Sequence, residues 1–404
     1  MAGFLDDRAG NPVKIMNMKR IPIVDFIRFG SIFIVLGGHF FPQWFVQFIA
    51  SPPLQKMVLN VFHNGAYGVT CFFVVSGFLI TDMLVDGQLD FSRIDLKVFY
   101  VKRFARIFPL LAAVVLTAFF LEHVKGLLDS RIQSYHVWND ASGFGWSFWF
   151  SLVTFNFNWY LIGNCSVEGF QWNVLWSLAI EEQFYFCYPL IVKTLQNRKK
   201  VLIFLFSVVL SSFLYRLCVS VYFDLNGQRT PTFWQAVSDQ MASFAAFDQI
   251  AIGGILYFIN KKWGYWFEAR PQVALGLSLL GIISCFYLCY STSMMDRSQY
   301  VYVPSLLAIN CAFVILGGLH VPVLFSKAAH VLSWPGKLSY GCYLLHPTIM
   351  FLLMPGLMVW GGLGSLGFLV IAVSLFAYLS YQYFEVPVNY RIRAWFKLKS
   401  SLKT

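Results

Sequence analysis

Arginine and histidine are costly inside hydrocarbon, yet residues 26–40, FIRFGSIFIVLGGHF, carry Arg28 near one end of an apolar run and His39 near the other. The eleven steps between them sum to about 1100°, within about 20° of three full helical turns, and place the two side chains on one face roughly 16 Å apart. Asp25 falls within about 60° of Arg28 on the same face, near enough to pair with it. A neutral histidine can take a proton from a hydroxyl, and an arginine at the opposite end can hold an anionic group of a substrate. The competing structural reading is an interfacial ion pair with a hydrogen-bonded core histidine; the rarity of histidine in such runs and the alignment favour chemistry.

Three further segments concentrate polar groups. KRFARIFP, residues 102–109, puts Lys102, Arg103 and Arg106 within two helical turns. That makes a pocket suited to phosphate, although the same residues would also serve as basic anchors at a lipid surface. WSLAIEEQFYFCYP, residues 176–189, repeats Ser177, Glu181 and Tyr185 every four residues along one face. Glu182 is expected to point elsewhere, which argues against a pair of carboxylates of the glycosidase type. Glu181 suits either catalysis or tying two helices together. LSYGCYLLHP, residues 338–347, stacks Ser339, Tyr343 and His346 on one face, where a polar helix contact is the alternative. Ser76 in FFVVSGFLI, Asp248 in FDQIAIGG and Glu385 in YFEVP identify no reaction by themselves, and Ser76 reads equally as a small packing residue beside Gly77. Cys285 and Cys289 suit packing better than a metal pair, so no metal site is expected.

The elements that must position these residues are set by composition. Of 404 residues, 58% are hydrophobic and 12% charged, where soluble chains are about one quarter charged. An all-α, polytopic membrane bundle is expected. Eleven apolar stretches are candidates to cross, near 21–41, 61–83, 107–123, 144–160, 173–193, 201–222, 241–259, 272–291, 301–319, 338–354 and 362–384. Basic clusters at 14–20, 93–106, 193–200, 261–262, 327–337 and 391–403 should share the cytoplasmic side, and this alternation works only if one stretch between 106 and 193 does not cross. The short, aromatic and Asn-rich 144–160 is the one to demote, to a re-entrant or interfacial segment.

Ten spans with both termini cytoplasmic are the expectation, divided as a segment 1–20, a membrane domain 21–384 and a basic tail 385–404. The first apolar stretch should act as its own insertion signal. The net charge of +11 follows from this inside bias, and no nucleic-acid partner is expected. Cys165 alone falls in an external loop, so no disulfide framework is expected. There is no internal repeat of fixed period.

Taken in order, these segments resemble the membrane-bound acyltransferase-3 family, nearly end to end. VDFIRFGSIFIVLGGHF is similar to its opening pattern of an arginine followed by a histidine; GVTCFFVVSGFLIT, KRFARIFP and WSLAIEEQFYFCYP resemble its next three blocks, with Glu181 at the characteristic acid; LSYGCYLLHP and YFEVP resemble its last two. Phe29, Thr70 and Lys102 depart from the usual pattern without removing a proposed catalytic group.

The resemblance implies transfer of an acyl group, most often acetyl, from acyl-CoA to a hydroxyl of a surface or exported polysaccharide or lipid-linked glycan, in a bacterial cytoplasmic (inner) membrane. Some relatives carry an extra esterase-like domain; this chain stops about twenty residues after its final span, so its chemistry is expected within the membrane domain. On this reading Arg28, Arg103 and Arg106 hold the CoA donor, which is a substrate and not a tightly bound cofactor, and His39 is the general base. Glu181 orients His39 or holds the sugar, Ser76 or His346 donates to the oxyanion, and Asp25 and Tyr185 support the site; a covalent acyl-enzyme on Ser76 or His39 is the variant. Two other classes compete: a transporter using Asp25, Arg28, His39 and Glu181 as a pathway, and a structural partner in glycan export.

Overall fold

The computed structural model describes residues 21–40, 49, 51–85, 91–124, 145–164, 174–227, 239, 241–293, 296–321, 336–350, 352–353 and 362–396. The segment 1–20, Cys165 and residues 397–404 lie outside that set. Among the described residues every regular element is helical, as it must be where no water satisfies backbone groups. The long elements are α1 (Pro22–Phe40), α2 (Pro52–His63), α3 (Ala66–Val85), α4 (Leu96–Val124), α5 (Trp146–Val153), α6 (Phe157–Asn164), α7 (Leu175–Leu195), α8 (Arg198–Leu225), α9 (Ser243–Glu268), α10 (Pro271–Ser291), α11 (Val303–Leu319), α12 (336–350), α13 (Gly362–Ser380) and α14 (Val386–Trp395). A π-helical turn, Tyr381–Glu385, joins the last two.

Among the described residues, six helical stretches are long and apolar enough to cross a bilayer, α3, α8, α9 and α10 among them. The chain is therefore an integral membrane protein. At the other expected spans, α11 is shorter, with 17 residues, while α4 and α7 keep the length, 29 and 21 residues, but carry the charged residues of the motifs above.

The segment 144–160 is not one helix. It folds as α5 and α6, eight residues each, and each is only about 12 Å long against an apolar core of about 30 Å. The break falls at Phe155, whose φ is 54°. Gln183 on α7 fastens the pair, donating to the Phe155 carbonyl at 2.7 Å and to Asn158 Oδ1 at 3.0 Å, while the buried Asn158 amide donates to the Met241 carbonyl at 2.9 Å.

Side-chain contacts give the relative directions of the site helices. Phe73 meets Trp176, Ser76 meets Glu181 and Thr81 meets Tyr188, so α3 and α7 run parallel. Tyr100 bonds the Phe186 carbonyl and Arg103 bonds Glu181, so α4 runs against α7. That opposition fits a segment 144–160 that does not cross between them. Asp25 backs onto Gly336 and His39 meets His346, so α1 and α12 are parallel.

Two glycines fix how closely α3 and α9 approach. A Cβ at Gly77 would lie 1.8 Å from the Ile250 carbonyl oxygen, and one at Gly253 would lie 2.1 Å from that of Val74. Such small-residue contacts stand in for the hydrophobic drive that lipid cannot supply. Beside them Arg216, fully buried on α8, pairs with Asp248 on α9 through two nitrogens at 3.1 and 2.8 Å, and Ser305 donates to the same carboxylate at 2.6 Å. Asp248 is thus a structural tie. Its partner could have been found from sequence, because an arginine in the middle of the 201–222 run needs one. Cys285 and Cys289 pack with Tyr67, Val303 and Leu307.

Candidate active site

The site lies where α1, α3, α4, α7 and α12 converge. A cleft of about 720 Å³, counting its open mouth, is lined by Arg28, Ser76, Arg103, Arg106, Ser177, Glu181, Ser339 and Tyr343, together with Tyr340 and the apolar Val69, Phe72 and Phe73. Five segments separated by up to about 300 residues in sequence thus contribute to its walls. Their fourfold spacing, read on each helix separately, is what points these side chains into a common space.

Glu181 is the hub. Its Oε1 accepts hydrogen bonds from the Ser76 and Tyr185 hydroxyls and from Arg103 Nη2 at 3.1 Å. The Arg103 guanidinium carbon lies over the Tyr185 ring, 3.5 Å from its centroid. Its Nε also faces Glu182 Oε1 at 3.5 Å. Glu182 does not line the cleft; consecutive residues diverge by about 100°, and the guanidinium set between them is near both. Arg28 is in electrostatic reach of Asp25, Arg106, Glu181 and Tyr185. Asp25 is buried below it at the α1 entrance and is absent from the cleft wall.

The histidines form a separate pair. His39 Nδ1 is 2.9 Å from His346 Nε2, with the rings stacked at 5.1 Å between centroids. His39 is exposed and His346 fully buried. The other ring nitrogen of His346, Nδ1, lies 3.0 Å from the Cys342 carbonyl oxygen. A carbonyl only accepts, so Nδ1 carries the hydrogen, and Nε2 of neutral His346 is an acceptor. His39 then donates from Nδ1, which directs its own lone pair to Nε2. In this arrangement His346 bridges the His39 ring and the Cys342 carbonyl.

The pair sits one ring beyond the cleft. His346 rests against the Tyr343 ring at 5.9 Å, and Tyr343 is held by Ser177 Oγ at 2.6 Å and by donating to the Val174 carbonyl at 2.9 Å. Phe72 packs edge-on to Tyr343 at 6.1 Å. Tyr343, Phe72 and Phe73 thus form an aromatic collar in the cleft lining, with His346 against its Tyr343. Tyr340, which sequence reasoning missed, donates to the Ile107 carbonyl at 2.7 Å and lines the cleft; its place next to Ser339 on a polar helix face was the available signal.

A helical membrane protein with a cationic cleft and an oriented histidine defines a class, and comparison with known proteins gives the family. The acyltransferase domain of the acyltransferase-3 family matches residues 21–382, and the chain belongs to that family. It is 26% identical over 396 residues to the O-acetyltransferase OatA of Staphylococcus aureus strain NCTC 8325, and 26% identical over 391 residues to a putative O-acetyltransferase of S. aureus strain COL. Each alignment covers 93% of this chain and 58% of the relative, so the chain spans a little over half the length of these proteins. No solved structure matches it.

Proposed function

We propose that the protein is a membrane O-acyltransferase that moves an acyl group, most simply acetyl, from acyl-CoA to a hydroxyl of a surface or exported glycan, within a ten-span bundle of a bacterial cytoplasmic membrane whose termini are both cytoplasmic. The observation that carries this reading is the cleft itself, whose lining brings Arg28, Arg103 and Arg106 together with Glu181 and with an aromatic collar whose Tyr343 touches the histidine pair. The names of the relatives point to acetyl as the group and oxygen as the acceptor.

In this reading Arg28, Arg103 and Arg106 hold the phosphates of CoA, for which two-pronged guanidinium contacts are suited. The thin pantetheine arm follows the cleft toward the collar. His39 Nε2 takes the proton of the acceptor hydroxyl as its oxygen bonds to the thioester carbonyl carbon; the C–S bond then breaks and CoA leaves as thiolate, to be protonated as the thiol. His346 stabilises the imidazolium that forms. The Ser76 hydroxyl donates to Glu181 and so helps to set that carboxylate in the cleft wall. Mass spectrometry of surface glycans from cells lacking the protein, complemented with wild type or His39→Ala at matched membrane abundance, tests the reading. An acyl mass restored by wild type alone supports it, and equal restoration by both removes His39 from the chemistry.

A further inference from the structure

The cations of the cleft continue beyond it onto the C-terminal helix. α14 packs along α4, and the π-helical turn before it touches α4 as well. Arg393 of α14 is thereby within electrostatic reach of both Arg106 and Lys102, while Arg106 is itself in reach of Arg28. Lys102 and Arg106, four residues apart, share one face of α4 and are separated by about 6 Å along its axis. Arg28 and Arg106 line the cleft, and Lys102 and Arg393 stand outside its lining. Positive charge therefore runs from the cleft toward the N-terminal end of α4.

Two observations set this row apart from basic anchors at a lipid surface. Arg393 is half-buried, and its Nε is shut off from solvent with no hydrogen-bond acceptor among the described residues. Arg391, about 200° around the same helix, is exposed. The second observation is the charge balance. Glu385 of the π-helical turn is in reach of Arg106 and accepts from Ser380 Oγ at 3.1 Å. One carboxylate offsets only part of the charge of Lys102, Arg106 and Arg393. The remainder suits a doubly charged anion, and an ammonium beside a guanidinium with a free Nε is a donor set for a phosphomonoester.

We infer that Lys102 and Arg393, beside Arg106 at the edge of the cleft, form a phosphomonoester subsite that reads the 3′-phosphate on the adenosine of CoA. The inference rests on the donor reading above. There the pantetheine arm enters the cleft and the cleft arginines meet the diphosphate, so the nucleotide end of CoA lies outside, where the row of cations continues. The subsite separates CoA from dephospho-CoA, which differs only in lacking that phosphate.

An anionic lipid headgroup offers the same chemistry, so the test is titration calorimetry on the full chain in nanodiscs of phosphatidylcholine, with CoA and dephospho-CoA as probes. Wild type should bind CoA at least about 10-fold more tightly than dephospho-CoA, as expected for a hydrogen bond to a charged group. Arg393→Gln and Lys102→Gln should each bring that ratio close to one. Arg391→Gln, which removes the same charge from the other face of α14, should leave the ratio as in wild type. A ratio that survives both Arg393→Gln and Lys102→Gln, or that Arg391→Gln lowers equally, overturns the subsite. So does a wild-type ratio near one, and phosphatidic acid retained by wild type but lost from Arg393→Gln would then assign these cations to lipid. Failure of the wild type to bind CoA at all overturns the donor reading instead.

Discussion

Replacing His346 by leucine removes the acceptor that orients His39 and leaves the collar apolar. The 2.9 Å hydrogen bond between the rings is worth about 0.5–1.5 kcal/mol net, which at 1.36 kcal/mol per decade is about a 2- to 13-fold loss of rate. Loss of the base itself should cost about 10²–10⁴-fold. His346→Leu should therefore lower kcat about 10-fold with little change in the KM for acetyl-CoA, and His346→Gln, which keeps an acceptor, should recover part of the loss. Because the two histidines act as one unit, the double variant His39→Ala/His346→Leu should be no slower than His39→Ala. Release of CoA thiol by purified protein in nanodiscs, at matched thermal stability, measures all four. An unchanged rate for His346→Leu, or losses that simply multiply in the double variant, would refute the orienting role.

Other expectations follow from the same geometry. Arg106→Gln should raise the KM for acetyl-CoA about 10- to 100-fold, since a hydrogen bond to a charged group is worth about 1.5–3 kcal/mol, with kcat less affected; steady-state kinetics decide. Gly77→Ala should lose folded protein, because its methyl meets the Ile250 carbonyl, whereas Gly30→Ala should be tolerated, because no atom lies within 4 Å of a Cβ there; the monodisperse yield in detergent separates them. Arg216→Ala should cost about 3–5 kcal/mol by stranding Asp248, and Arg216→Met/Asp248→Leu should regain most of it, as read by thermal unfolding.

What the sequence disclosed, it disclosed one helix at a time. Spacings of three and four put Ser177, Glu181 and Tyr185 on one face, and Ser339, Tyr343 and His346 on another, because periodicity is local. The break in 144–160 was legible in its length and its asparagines. Pairings between helices were not, because nothing in sequence fixes register across 307 residues, as between His39 and His346, or across 105, as between Ser76 and Glu181. Glu181, expected to orient His39 or to hold the sugar, bonds Ser76, Tyr185 and Arg103.

The most direct test of acyl transfer uses the wild-type protein and His39→Ala, each reconstituted in liposomes with acetyl-CoA labelled in the acetyl group and an isolated envelope glycan as acceptor. Label should become covalently bound to the glycan in step with thiol release for the wild type, and at least about 10²-fold more slowly for His39→Ala. Equal transfer by both proteins, or passage of label across the bilayer without attachment to glycan, would contradict the account.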